Sequence, residues 1–188
     1  MTSEEFLAWD ATQTIKHEFM GGEVFAMASA DKAHVTLTGN VYSALRQHLR
    51  GSPCRTYMLD TKLRVEAASC YFYPDVLVTC SAADAADRAI VREPVLLVEV
   101  LSLSTAGYDR GDKFVAYRQL PSLREYVLID PQSRRCDVFR LRDDGLWVLH
   151  PFEAGQDLQL ASVELDLPAA VLWDEVPVVA AEPSARPG

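Results

Sequence analysis

A mixed α/β (α+β) fold, a mixed β-sheet flanked by helices, is what this 188-residue chain predicts, on three observations. The run from Pro94 to Leu101 is almost continuously apolar, the pattern of a strand covered on both faces. Two segments, Asp31 to Arg50 and Gly107 to Leu120, read as helices, the first carrying apolar residues at helical spacing. Three late strand-like runs are separated by tight-turn sequences, which predicts a C-terminal antiparallel meander. A sheet with helices packed on it is the economical way to bury these faces. With 49% hydrophobic residues the chain can fill one core, so a single domain is expected over residues 1–179, followed by a Pro-, Ala- and Ser-rich tail, 180–188, whose composition predicts disorder.

The elements follow in order. Thr2 and Ser3 before Glu4 and Glu5, with Phe6, Leu7 and Trp9 behind them, predict a short capped helix acting as a lid or brace. Gly21-Gly22 between two apolar stretches predicts an N-terminal β-hairpin, because glycine supplies the positive φ angles of a tight turn. The helix over 31–50 ends at Gly51-Ser52-Pro53. Cys54 to Glu66 and Ala68 to Cys80 form two alternating runs with a turn at Ala67 to Ser69, a long hairpin. Ser81 to Arg92 has no strong apolar stripe and reads as a surface loop or a frayed helical turn. The strand over 94–101 belongs in the middle of the sheet, and the second helix begins at Gly107 and stops at Pro121.

The formal net charge of −9 offers no basic field to draw in a polyanion, which counts against strong non-specific nucleic-acid binding. It does not exclude an enzyme acting on nucleic acid, because bound cations add local positive charge where carboxylates cluster. Cys54, Cys70, Cys80 and Cys136 have no CxxC spacing, and Met1 opens no signal-like segment, so reduced, mostly buried thiols and a cytoplasmic protein are expected. No apolar run approaches a bilayer's thickness, so no membrane role is expected.

Glu99 is the sharpest local feature. An ionised carboxylate in the middle of an apolar strand must have a cation, either a neighbouring basic side chain or a metal. Asp75 follows Tyr73-Pro74 at the start of the run Val76 to Thr79, and an adjacent pair of strands could present both carboxylates to one point, facing a cleft that water can enter. Read singly, Asp75 is a turn-capping residue. Oxygen ligands of this kind suit Mg²⁺, with Mn²⁺ as substitute. Lys113, on the second helix, could return an ammonium to the pair, orienting water or offsetting transition-state charge; otherwise it is a surface lysine. Tyr117 lies one turn further on the same face, placed to pack behind Lys113 or to touch substrate. His17 and His34 read as hydrogen-bonded structural residues, Ser102, Ser104 and Thr105 as loop-shaping hydroxyls, and Arg134, Arg135, Arg140 and Arg142 as a solvated hairpin face.

Taken together, Tyr73-Pro74-Asp75-Val76, Val98-Glu99-Val100-Leu101-Ser102 with Ser104-Thr105, and then Asp109, Lys113 and Tyr117 resemble the Uma-type restriction endonuclease family of the PD-(D/E)xK nuclease superfamily. His17-Glu18-Phe19 with Gly21-Gly22-Glu23 resembles that family's amino-terminal hairpin, and His34 and Pro131 also fit. The superfamily pattern would put its lysine two residues after the acid, where this chain has Leu101; the resemblance implies that the lysine has moved to Lys113. It further implies a restriction-endonuclease-like sheet, a metal site at Asp75 and Glu99, a catalytic set of Asp75, Glu99 and Lys113 with Glu18 as a further acid, and DNA as substrate. A homodimer is expected from the same resemblance and from the aromatic residues Trp147, Phe152 and Trp173 in the late strands. The competing class is a catalytically inactive nuclease-fold module for binding or assembly, which the acidic charge balance favours.

Overall fold

A computed structural model describes residues 1–27 and 29–177. The expected tail, 180–188, and the domain boundary at 179 lie outside them. In chain order the elements are α1 (Ser3–Asp10), β1 (His17–Met20), β2 (Glu23–Ala26), α2 (Lys32–His48), β3 (Arg55–Met58), β4 (Lys62–Val65), β5 (Cys70–Phe72), β6 (Val76–Thr79), α3 (Ala82–Ala86), β7 (Ile90–Val91) and β8 (Pro94–Val100). A composite helix follows: α4 (Ala106–Tyr108), a π-helical turn (Asp109–Lys113) and α5 (Phe114–Tyr117). The chain then forms β9 (Glu125–Asp130), β10 (Arg135–Leu141), β11 (Trp147–Phe152), β12 (Leu158–Leu160), β13 (Leu165–Leu167) and α6 (Ala169–Leu172).

Thr2 caps α1 in a full capping box with Glu5, each side chain bonding the other's backbone N–H. The β1–β2 hairpin turns at Gly21 (φ 61°) and Gly22 (φ 90°), angles that a side chain would resist. Asp31 caps α2 through His34 N–H, and Ala33, Leu37, Val41 and Leu45 form its buried stripe.

The expected long hairpin exists but divides between two sheets. Leu63 faces Phe72 in a five-stranded sheet of order β2-β1-β5-β4-β7, whereas Thr56 faces Val78 in a six-stranded sheet of order β11-β10-β9-β8-β6-β3. The ribbon parts at Leu59–Thr61 and at Tyr73–Asp75, where Pro74 has no N–H to give a ladder. Strand β6 accordingly spans Val76–Thr79, the run that follows Asp75. Within the larger sheet β8 pairs antiparallel with β6 and parallel with β9, so this sheet is mixed, and the composite helix is the crossover between the two parallel strands. The meander β9–β10–β11 is antiparallel as expected.

Two cores result. One packs α2 and α6 against even-numbered residues of β6 and β8, such as Val78 and Val98; the other packs the composite helix against Leu77, Leu97 and Tyr126. A third, aromatic cluster ties α1 down: Phe6 stacks on Phe19 at 5.0 Å and on Tyr71 at 5.7 Å. Helix α1 is therefore a brace.

One expectation is corrected here. Cys54 and Cys80 form a disulfide, because they flank the paired ends of β3 and β6, where Arg55 opposes Thr79; only Cys70 and Cys136 are free, and both are buried. The inference of a reducing compartment from four thiols therefore loses its premise. The aromatic side chains behind the dimer expectation are also engaged internally: Phe152 and Trp173 pack on the first core, and Trp147 meets Phe114 edge-on at 5.5 Å. The Arg-rich face is paired as well, Arg135 with Glu153, Arg140 with Glu125 and Arg142 with Asp144, while Arg134 lies over Trp173. No described helix is long and apolar enough to cross a membrane.

Phe6→Ala should lower the unfolding free energy in urea by roughly 3–5 kcal/mol, the cost of a large aromatic cavity. A loss under about 1 kcal/mol would mean that α1 is not braced by this cluster. Burial pushes the Cys136 thiol up to about 12 and raises Cys70 as well. Iodoacetamide at pH 8 should consequently label no cysteine in the native protein, two after denaturation without reductant, and all four after reduction. Four labels without reductant would rule out the Cys54–Cys80 bond.

Candidate active site

Three elements of the sheet and its crossover put acids and one base at a single place. Val76 opposes Val98, so the antiparallel register sets Asp75, one residue before, across from Glu99, one residue after. Asp75 Oδ2 accepts the Val100 N–H at 2.7 Å, which pins the carboxylate to the neighbouring strand. Glu99 has the parity of Leu97 and so faces the composite helix. There Asp109, Lys113 and Tyr117 recur every four residues along one face, and the π turn widens the helix between the first two. Tyr126 donates its hydroxyl to the Asp109 carbonyl at 2.9 Å, satisfying backbone that the turn disturbs.

Lys113 is the hub. Its Nζ lies 3.0 Å from Glu18 Oε1, 3.1 Å from Glu99 Oε1 and 3.3 Å from Asp109 Oδ1. Tyr117 donates to the same Glu99 oxygen at 2.8 Å and is wholly buried, so it orients the carboxylate. Glu18, on β1, also accepts the Tyr73 N–H at 3.2 Å, linking the amino-terminal hairpin to the segment that carries Asp75. The expected Asp75, Glu99 and Lys113, together with Glu18 and Tyr117, thus stand in one cluster.

Two residues join that sequence reasoning left aside. His34 Nε2 is 3.1 Å from Asp75 Oδ2, and its Nδ1 is enclosed without a hydrogen bond. A histidine three residues after an Asp cap was the available signal, since it places the ring at the first turn of α2. Asp109, visible in the sequence only through the family pattern, is the third carboxylate on Lys113. His17 does not reach the cluster: it bonds Asp10 at 3.3 Å, in a separate polar knot where Asp10 also holds Lys62 at 2.8 Å and the Tyr73 hydroxyl at 3.2 Å.

Four carboxylates therefore share one ammonium and one imidazole in a water-poor place. Burial raises the Glu99 carboxyl well above its ordinary range; the Lys113 charge opposes this, and Asp75, Asp109 and Glu18 add to it. Burial raises Glu18 too, against the pull of Lys113. Burial opposes the charge on Lys113, yet Glu99, Glu18 and Asp109 together outweigh it and hold the ammonium protonated. For His34, burial is likewise overcome by the hydrogen bond and charge of Asp75, and its pKa rises.

The expected open cleft is not in front of these groups. Glu18, Asp75, Glu99, Asp109 and Lys113 are all buried, Asp75 being the most exposed at 9%. Tyr108 covers Lys113, its ring centroid 5.6 Å from Nζ, and Phe25 of β2 packs on Tyr108 at 5.7 Å. The hairpin and the start of the composite helix together roof the cluster.

In divalent-free buffer Lys113→Met should destabilise the fold by roughly 3–5 kcal/mol, because it strands buried carboxylates without their cation. Glu99→Gln should leave the melting temperature unchanged or higher, since it removes surplus negative charge and keeps an oxygen for Tyr117. Equal losses from the two changes would show that the carboxylates are not in excess.

The chain is similar to several known proteins. The uncharacterized protein slr1290 of Synechocystis sp. (strain PCC 6803) is 34% identical over 173 residues, covering 92% of this chain and 91% of that one. A second protein of the same strain, the uncharacterized protein sll1609, is 34% identical over 151 residues, covering 79% and 85%. A crystal structure of a "putative nuclease" from Anabaena variabilis superposes with a TM-score of 0.77 over 92% of this chain and 97% of that one, at 15% identity, and so shares the fold. Residues 3–172 match the Uma2 family model, described as "Putative restriction endonuclease". By that match over most of its length, the chain belongs to the Uma2 family.

Proposed function

We propose that the chain is a Mg²⁺-dependent endonuclease of the PD-(D/E)xK kind that hydrolyses phosphodiester bonds in DNA, with Asp75 and Glu99 as metal ligands and Lys113 as the cation that assists the attacking water. The observation that carries this reading is the buried surplus of carboxylate: Glu18, Asp75, Glu99 and Asp109 against Lys113 and His34. Asp109 Oδ1 is enclosed with no hydrogen bond, its neighbour being the Lys113 ammonium. Such a surplus fits a divalent cation, which offsets charge that protonation must otherwise remove.

The donor set narrows the cation. The candidate ligands, Asp75 and Glu99, both offer hard carboxylate oxygens. This suits Mg²⁺, or Mn²⁺ in its place, which keeps several waters and takes one or two protein carboxylates, and it does not suit a closed zinc cage. When bound, the cation supplies Lewis acidity to the phosphoryl oxygens and a more acidic water. The chain's own residues do the placing. Val100 N–H and His34 fix Asp75, while Tyr117 and Lys113 fix Glu99. The Lys113 ammonium, held by three acids, would orient the attacking water and offset charge on the phosphorus centre.

One observation favours a second reading, an inactive module that keeps the fold for binding or assembly: Lys113 already bonds three of the carboxylates, as a purely structural network would. Titration with Mn²⁺ separates the two. Saturable binding lost in Glu99→Gln, together with nicking of plasmid DNA that fails in the same protein, supports the enzyme; no binding by the unaltered protein supports the module. Lys113→Ala should still bind Mn²⁺ but cleave slower by about two orders of magnitude or more. Equal nicking by Lys113→Ala and the unaltered protein would remove Lys113 from the reaction. Cutting both strands of a duplex suits paired sites, so the enzyme is expected to act as a two-fold homodimer. Light scattering that gives a monomer mass at micromolar concentration would refute that assembly.

A further inference from the structure

Beside the carboxylate cluster the parting of the two sheets leaves a cleft of about 380 Å³, between the Tyr57–Lys62 bend and the loop before β7. Its size falls within the range of small-ligand pockets, roughly 300–1,000 Å³. The acids in its wall are already committed: Asp60 to Lys16, Asp87 to Arg92, and Asp84 to the Thr79 hydroxyl and the backbone of Arg92 and Glu93. Lys62 is committed to Asp10. The side chains left over are Arg88, which is exposed, with Thr61 and Tyr57; among the described residues none of the three makes a side-chain hydrogen bond or ion pair, and Tyr57 is half-buried with part of its ring against the second core. Each can donate, one carries positive charge, and Tyr57 adds an aromatic ring. A ligand matched to them offers an anionic acceptor group and a flat face.

We propose that this cleft is a nucleotide subsite for a strand of nucleic acid, with Arg88 and Thr61 holding a backbone phosphate and Tyr57 packing its base. Its place follows from Tyr73, which lines the cleft, donates its N–H to Glu18 and stands two residues, about 7 Å of extended chain, from Asp75. A strand whose scissile phosphate lay at the carboxylates would run past Arg88. In a chain of net charge −9 that local cation is a means of holding a polyanion. The inference rests on the nuclease reading for the identity of the polymer, and not for the existence of the subsite.

The test uses the intact protein and two probes. Anisotropy of a fluorescein-labelled single-stranded oligonucleotide, without divalent ions, should show Arg88→Ala and Tyr57→Ala each weakening binding about tenfold, with the Arg88 change also lowering the salt slope by about 1. Arg118→Ala, an exposed arginine lying over Phe114, should bind as the unaltered protein does. Thymidine 5′-monophosphate should shift the amide resonances of Thr61, Ala89 and Ile90. Affinity and salt slope unchanged in Arg88→Ala, no oligonucleotide binding at all, or shifts confined to other residues would overturn the subsite. Cleavage that persists alongside such a result leaves the nuclease reading standing. Nucleotide binding at the cleft with no cleavage in Mg²⁺ or Mn²⁺ upholds the subsite and defeats the nuclease reading instead.

Discussion

The buried ammonium of Lys113 is the interaction on which the rest of this structure depends. Three carboxylates, from β1, from β8 and from its own helical turn, lie within 3.3 Å of it. None of them could stay ionised there alone, because removing a carboxylate from water costs several kcal/mol even after relaxation. Two of the three contacts also join different elements. Glu18 draws the amino-terminal hairpin onto the crossover helix, and Glu99 registers that helix over the middle of the larger sheet.

The cation does not finish the balance. Four acids face one lysine and one histidine, and the strand carrying Glu99 is apolar on both sides of it. A site built for stability alone would do better with apolar side chains of similar volume. The surplus is the arrangement on which the proposed metal site rests. The π turn at Asp109–Lys113 belongs to the same pattern: it departs from regular helix where two site residues must both point inward.

The division of one β-ribbon into two sheets serves the site as well as the fold. Had the strands continued straight through Tyr73 to Asp75, the backbone N–H of Tyr73 would be spent in a ladder; instead it bonds Glu18. The same parting opens the cleft beside Tyr73. Pro74, which cannot donate, marks the place where the ladder stops. The Asp10 knot with His17, Lys62 and Tyr73 then holds the parted strands against α1, so the amino-terminal brace and the site share a wall.

What the sequence alone determined is local and periodic. The capping box of α1, the Gly21-Gly22 hairpin, the stripe of α2, the buried strand at Pro94 to Leu101 and the meander turns each follow from residues a few positions apart, whose backbone preferences need no distant partner. Glu99 was legible as a residue that needs a cationic partner, because a charge inside an apolar run demands one wherever the chain goes. Tertiary structure decided which charges meet. Asp10 and Glu18 are eight residues apart yet lie in different networks, while Glu18 and Lys113 share an ion pair. The disulfide of Cys54 with Cys80, the joining of His34 to Asp75 and the roofing of the acids by Tyr108 and Phe25 depend likewise on strand register and helix crossover. A contact between residues far apart in sequence exists only once the intervening chain has packed. Hydrophobic spacing reports which face of an element is buried, and nothing in it reports which buried faces come together.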